Sequence, residues 1–381
     1  MHDYTIPIGP HHPAIDEPAC LRVSLDGNYI VDANIRLGYA HKGIEKLLEG
    51  KRIDQGLHIV DHICGICSVA HPSCYVMVIE KMLNYKPPER VNYIRTLLSE
   101  LGRIQSHIFW SGFMLHEIGF ETMLAYFLRE REYALEILER LTGNRSHFAA
   151  HKVRTVKNDV TEEDVRFIQN KIKIIEKKIP SYMKIAKKDK VIRARLVDVG
   201  TIRRQDAEKY SLIGPIARGS GLRVDVRKDD PYEAYDEVDF DMMLEWSGDA
   251  HARMMVRLRE IMESIRIVKQ ILKNMPDGKI PPISPVIIEE GMEVGRVEAP
   301  RGENFHMIKI KDKRIDRARI RPPTFNFMSI FTKLLEGREV GDVPVILASL
   351  DPCFACMERV IVIKDGKREV LTEDDFRRKY V

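Results

Sequence analysis

Four of the chain's six cysteines fall in two Cys-x-x-Cys pairs at its opposite ends: Cys64 and Cys67 in HICGICSVAH, and Cys353 and Cys356 in DPCFACMER. This spacing sets two thiolates about one turn apart, where both can ligate one metal centre. Four thiolates suit zinc, an iron–sulfur cluster or nickel. Structural zinc ribbons keep their pairs roughly 15–20 residues apart, because they staple a small module with little core. Here Cys64 and Cys353 stand 289 positions apart. Any fold that joins them brings the two ends of the chain together. A chain of 381 residues buries its own core without a staple. The spacing therefore points to a buried reaction centre, ahead of a structural zinc or two separate thiol–disulfide motifs.

Composition removes several other classes. Hydrophobic residues make up 44% and charged residues 31%, which excludes wholesale disorder, collagen and a coiled-coil rod. Six cysteines are too few for a disulfide scaffold of this size. No apolar run approaches the ~18–20 residues of a membrane helix. The opening MHDYTIPIGPHHP lacks the basic-then-apolar pattern of a signal peptide, so the cytoplasm is the expected address. The net charge of +4 gives no reason to expect a nucleic-acid partner. The excess is local: residues 151–196 hold 14 Lys or Arg against 6 Asp or Glu. Within that stretch Phe167, Ile168, Ile172, Ile175 and Ile179 fit one helix face. The basic face is read first as solvated, and second as a contact for an acidic protein or anionic lipid. Five Gln beside abundant Lys, Arg, Glu and Ile match the balance of proteins from hot environments.

The order of patterns predicts an α+β fold, with a central bundle of long helices flanked by small β-sheets. Residues 3–40 read as strands, with a hairpin signal at Asp26-Gly27-Asn28. Residues 44–274 read as mainly helical. Helices are expected over 44–60, 66–84, a long buried stretch after Pro88, 121–141, 162–185 and roughly 238–274. Thr161 with Asp164 resembles a capping box. Alternation returns over 286–320, followed by a helix near 325–336 and the second cysteine pair within 325–359. No linker composition interrupts the chain, so residues 1–381 are read as a single large domain.

The two motifs with their surroundings resemble the catalytic large subunit of nickel–iron hydrogenases, whose signatures are RxCGxCxxxH and DPCxxC. His71 completes the first. His62 stands where the family carries Arg, which alters the surroundings of the ligands but not the ligands. GPHHPAIDEP, GYAHKGIEKLLEG, GPIARGSGLRVDVR, PYEAYDEVDFD and GDAHARMMVRLREIMESIRIVKQ resemble the hydrogenase-related large subunit of respiratory complex I, which lacks the four cysteines. The resemblance covers nearly the whole chain. Together these features look like group 4, the membrane-bound energy-converting hydrogenases, including those of methanogens and other archaea.

That resemblance implies reversible heterolytic cleavage of H2 at a nickel held by Cys64, Cys67, Cys353 and Cys356. Cys67 and Cys356 would bridge to an iron carrying carbon monoxide and cyanide. Cys353 is the implied terminal base, Glu17 the proton-transfer carboxyl, with Asp16 as the alternative assignment, and Arg301 the cation over the site. Pro322 and Thr324 resemble the segment beside the diatomic ligands, Asp351 an orienting group, and His71 a donor to a ligand sulfur. Cys20 and Cys74 match no ligand and are read as packing residues. His41 and Tyr75 fall where the complex I relative meets its quinone, and are read as leftovers or parts of a proton path. Glu45 matches a magnesium ligand, although the C-terminal histidine of that magnesium site is replaced here by Arg359. The same likeness implies proteolytic removal of the tail after Arg359 by a maturation protease, once nickel chaperones have delivered the metal.

The implied partners are a small subunit with a 4Fe–4S cluster, a ferredoxin or polyferredoxin, and antiporter-like integral-membrane subunits. The chain would then sit peripherally on the inner face of the cell membrane. The alternatives are a non-hydrogenase quinone-site or scaffold subunit like that of complex I, and a sulfur-reducing complex whose relatives lose part of the cysteine set. The full set of four argues against both.

Overall fold

The computed structural model describes residues 4–357 except Ala14 and Asp16, together with the backbone of the strands Val362–Lys364 and Lys367–Glu369. Asp16, Arg359 and the expected tail cleavage lie outside the described residues. The chain opens with β1 (Tyr4–Ile8), β2 (Cys20–Asp26) and β3 (Tyr29–Arg36). Then come α1 (Ile44–Leu48), α2 (Ile53–Asp61), α3 (Ala70–Met82), α4 (Glu89–His116) and α5 (Glu121–Thr142). A two-residue hairpin, β4 (His151–Lys152) and β5 (Thr155–Val156), precedes α6 (Glu162–Lys188) and α7 (Lys190–Leu196). Short helices α8 (Arg204–Lys209), α9 (Gly214–Gly219) and α10 (Val226–Asp229) lead to the long α11 (Ala250–Lys273). Strands β6 (Gly291–Ala299), β7 (Gly302–Lys311) and β8 (Arg314–Arg321), and helices α12 (Thr324–Leu335) and α13 (Val343–Leu350), complete the fold before β9 (Val362–Lys364) and β10 (Lys367–Glu369). This is the α+β arrangement of long helices and small sheets.

The N-terminal sheet has the order β1-β2-β3 and is antiparallel throughout. Leu21, Val23 and Leu25 alternate inward on β2, as period-two patterning demands. Gly27 closes the hairpin at φ 58°, a conformation that favours glycine. The second sheet, β6-β7-β8, is also antiparallel. Its edge strand β6 leaves Met292 and Val294 exposed, beside an exposed Ile287.

Helix α4 is buried nearly all round: Leu97, Leu98, Leu101, Ile104 and Ile108 are inaccessible, and so are Glu100, Arg103 and His107. It shares one apolar core with α5, α6 and α11. In α6, Ile168, Ile172, Ile175 and Ile179 face that core, which leaves the lysines of the basic stretch outward. Thr161 and Asp164 form the capping box at its start.

Two expected boundaries move. The stretch 44–60 is two helices, divided where Gly50 turns at φ 74°. The helix expected from about 238 begins only at Ala250. Asp249 caps it by accepting from Ala252 N at 2.7 Å. Ahead of the cap, Gly248 turns at φ 68°, so close to Ile202 O that a Cβ would lie 2.0 Å away. A cap and a turn that rest on a distant loop are weak signals in the local sequence.

Charge fills the space between α4, α9, α10 and α11. Arg218 binds Glu260 at 2.7 Å and Glu298 at 2.8 Å, and Arg227 binds Asp225 at 2.7 Å and Glu100 at 3.1 Å. All six side chains are buried. The third apolar core, built from α1–α3 and the β6–β8 sheet, contains all four motif cysteines.

Gly214 ties the fold to that centre. At φ 64°, a Cβ there would stand 2.2 Å from the carbonyl oxygen of Arg301. Gly214→Ala is expected to destabilise the chain by at least about 1–3 kcal/mol, from the left-handed backbone alone. Chemical denaturation of the variant beside the parent checks this.

Candidate metal centre

The first cysteine pair lies in the loop between α2 and α3. The turn after Ile63 folds back so that Cys67 N donates to Cys64 Sγ at 3.2 Å. The second pair follows α13, which ends at Asp351 in the left-handed region (φ 55°). Thr324 Oγ1, at the start of α12, accepts from Cys353 N at 2.9 Å. One turn of 3-10 helix, Phe354–Cys356, then sets Cys356 Sγ 2.7 Å from Cys353 Sγ. Cys64 Sγ lies 3.7 Å from Cys353 Sγ. The sulfurs of Cys64, Cys353 and Cys356 all lie within 4.8 Å of one another. Every motif cysteine is buried and unpaired by disulfide.

Arg301 sits in the tight turn joining β6 to β7 and is 6% exposed. Its Nη1 donates to Cys67 Sγ at 3.2 Å, its Nε to Asp351 O at 2.9 Å and its Nη2 to Asp351 Oδ1 at 2.5 Å. Burial works against its charge, but Asp351 and the thiols outweigh it and hold Arg301 well above its ordinary pKa. Asp351 is raised by burial, against the pull of Arg301 and Arg257. Hydrogen bonds from Cys353, Cys356 and Cys67 favour the Cys64 thiolate and lower that group's pKa, in spite of burial.

Glu17 reaches the centre from the N-terminal segment. Its Oε2 accepts from Ala355 N at 2.8 Å, inside the second cysteine motif. Burial raises its pKa, opposed by the Ala355 hydrogen bond and by Arg301. A carboxyl raised in this way accepts a proton more readily than one exposed to water.

The remaining sequence candidates separate. Pro322 is buried in the segment that leads into Thr324. His71 is buried and its Nδ1 faces His306 Nε2 at 3.1 Å. Among the described residues it makes no hydrogen bond to a cysteine sulfur. Burial pulls its pKa down to about 4, so it is a neutral imidazole. Glu45 spends its carboxylate on Arg319 Nη1 (2.6 Å) and Ile320 N (2.7 Å). Those bonds leave it little capacity to hold magnesium. Tyr75 is buried and donates its hydroxyl to Ile53 O at 3.0 Å, whereas His41 is exposed. Cys74 is fully buried against Gly295 O, as a packing residue would be, while Cys20 is only half-buried.

The structure adds groups the sequence reading passed over. Arg257 lies over the Trp110 ring at 4.0 Å and reaches Asp351 Oδ2 at 3.5 Å. It thereby backs the carboxylate that holds Arg301. Arg253, one turn earlier, donates to Ser349 Oγ at 2.7 Å. Two arginines four apart inside an otherwise apolar helix stripe were the available signal. His147 stacks on His62 with ring centroids 4.4 Å apart. Together with Asp61 they gather three donor groups beside the Cys64 loop.

Comparisons with known proteins find relatives over nearly the whole chain. A family model described as the respiratory-chain NADH dehydrogenase 49 kDa subunit matches residues 117–289 and 283–359. A model described as nickel-dependent hydrogenase matches residues 42–166. The chain is 35% identical to the membrane-bound hydrogenase subunit alpha of Pyrococcus furiosus, over 97% of this chain and 91% of the relative. It is 34% identical to the carbon monoxide-induced hydrogenase of Rhodospirillum rubrum, over 94% of this chain and 100% of the relative. It is also 34% identical to one subunit of the NADH-quinone oxidoreductase of Desulfotalea psychrophila, over 91% of this chain and 95% of the relative.

Asp351→Asn keeps the shape and removes the charge facing Arg301 and Arg257. Breaking a buried pair on one side costs about 3–5 kcal/mol, so the variant is expected to lose that much stability in a denaturant titration.

Proposed function

Because the chain belongs to the family of nickel–iron hydrogenase large subunits and their complex I relatives, we propose that it is the catalytic subunit of a membrane-associated hydrogenase. The observation that carries this reading is the convergence of both cysteine pairs under Arg301. The donor set fits the group: buried, soft thiols suit nickel and low-valent iron, and none is tied up in a disulfide. Cys64, Cys67, Cys353 and Cys356 would hold nickel, with Cys67 and Cys356 shared with an iron carrying carbon monoxide and cyanide. When bound, that group supplies the open, soft coordination position on which H2 is split into protons and electrons.

The chain's own residues then have distinct tasks. Arg301 holds a fixed positive charge against Cys67 and steadies the thiolates. Asp351, backed by Arg257, fixes the angle of that guanidinium. Thr324 fixes the backbone of Cys353, which serves as the local base. Glu17 takes the proton onward: Ala355 N holds Oε2, so Oε1 is the oxygen that receives it. Pro322 would line the pocket beside the bound iron, and His71, paired with His306, keeps the first cysteine loop in place.

Electrons leave through another subunit, because the cysteines outside the motif pairs, Cys20 and Cys74, stand apart from any cluster site. We assign that step to a small subunit with a 4Fe–4S cluster, which exchanges electrons with ferredoxin or polyferredoxin. Antiporter-like membrane subunits couple it to ion movement. No helix among the described residues is long and apolar enough to cross a membrane, and the proposed position is peripheral, on the inner face. The second reading, a non-hydrogenase subunit like that of complex I, is favoured by the wide match to the 49 kDa subunit model. It leaves four converging thiols without a task.

Metal analysis of the assembled complex separates the two. About one nickel and one iron, with infrared bands of iron-bound carbonyl and cyanide, support the hydrogenase; zinc alone overturns it. Cys353→Ser is expected to abolish nickel retention while the chain still folds, read by metal content and circular dichroism. Glu17→Gln is expected to slow proton exchange with H2 by on the order of 10²-fold or more at unchanged metal content. Full hydrogen evolution in that variant rules Glu17 out as the relay.

A further inference from the structure

A buried carboxyl on the other side of the centre has no part in the scheme above. A cavity of about 10 Å³, lined by Cys67, Ala70, Ser73, Gly102, Tyr232 and Val297, adjoins the first cysteine loop. That is about the least space one water needs. From this cavity Ser73 Oγ donates to Glu233 Oε1 at 2.6 Å. The Glu233 side chain is only 5% exposed, and among the described residues its Oε2 has no hydrogen-bond partner. His151 Nε2 lies 4.0 Å from Oε1, is 1% exposed, and likewise has no partner. Glu233 Oε2 and His151 Nε2, on side chains this close, are the two atoms left for a shared water to satisfy.

The backbone is strained to aim this carboxyl inward. Glu233 has φ 54°, an unfavourable conformation for a side chain of this kind. Its neighbours hold it there: Ala234 N donates to Thr96 Oγ1 at 3.1 Å, and Glu298 N donates to Tyr232 Oη at 3.1 Å. The charged groups facing it come from α3, α4 and β4. Arg95 on α4 is the near cation, but it is held at 2.7 Å and 2.9 Å by Glu80 of α3. Glu80 and Glu100 add negative charge, and Lys152 lies beside His151. Arg95 and the Ser73 hydrogen bond favour the Glu233 carboxylate, but burial outweighs them.

We propose that Glu233 is a second proton-holding carboxyl of the centre, serving the Cys67 side through Ser73 as Glu17 serves the Cys353 side, with His151 as the next group outward. This rests on the function proposed above. The proton enters by way of the Ser73 hydroxyl, rests on Glu233, and passes through one water to His151 Nε2. Only O–H and N–H bonds form and break. Burial raises the Glu233 pKa to about 7, while burial lowers that of His151 to about 3. His151 is therefore a transient carrier and Glu233 the resting place.

The test is infrared titration of the purified complex, following the carbonyl stretch of a protonated carboxyl. One carboxyl band titrating near pH 7 is expected to be present in the parent and in Glu17→Gln, lost from the difference spectrum of Glu233→Gln, and shifted in Ser73→Ala. In the Glu17→Gln background, adding Glu233→Gln or Ser73→Ala is expected to lower the remaining H2/D2O exchange by at least about tenfold. Ser73→Ala keeps the test open if Glu233→Gln fails to fold. Burial also raises Glu298 to about 7, so the reading is the difference between parent and variant: a Glu233→Gln spectrum that loses no titrating band, or equal exchange in single and double variants, overturns the proposal. A parent complex that lacks hydrogenase activity but keeps the Glu233 band would overturn the function above, and leave proton binding at Glu233 standing.

Discussion

One guanidinium joins the two halves of the site. Arg301 touches Cys67 from the first motif and both the backbone and the carboxylate of Asp351 from the second. A buried arginine with this many partners has few alternative positions. The turn that carries it is in turn constrained, because Gly214 and Gly302 approach so closely that neither tolerates a side chain. The placement of four sulfurs from distant parts of the chain thus depends on the contact between a hairpin and a short helix. The large apolar cores set the scaffold, but this contact sets the site.

The same economy of charge runs through the interior. Arg218, Arg227 and Arg257 are buried, and each is met by at least one carboxylate from another element, with an aromatic face added at Arg257. Such pairs add little net stability over apolar packing, because desolvation offsets their attraction. They are selective, however: a helix that slips by one turn leaves a charge unpaired. In this fold they fix how α4, α10 and α11 meet.

The cysteine spacing made the centre legible, and alternation and helical periodicity revealed the hairpins, α4, α6 and the return to strands. Those features are local, or carried by residue types with few other uses. The segment 238–249 was misread as helix because its apolar residues have helical spacing, while the groups that stop it, Ile202 O against Gly248 and the Asp249 cap, depend on folding. Glu17 and Arg301 are candidates through resemblance alone, since a lone acid or arginine carries no local signal. Arg257, His306 and Glu233 were missed for a related reason. Their partners lie tens to hundreds of positions away, and their burial is a property of the assembled cores.

The exposed edge of the second sheet has a practical bearing. Strand β6 stands at the edge of its sheet and sets Met292 and Val294 on its surface, with Ile287 nearby. Edges of this kind are sticky unless something covers them. The chain produced by itself in a heterologous host will therefore tend to self-associate, and co-production with its neighbouring subunits is the route to soluble material.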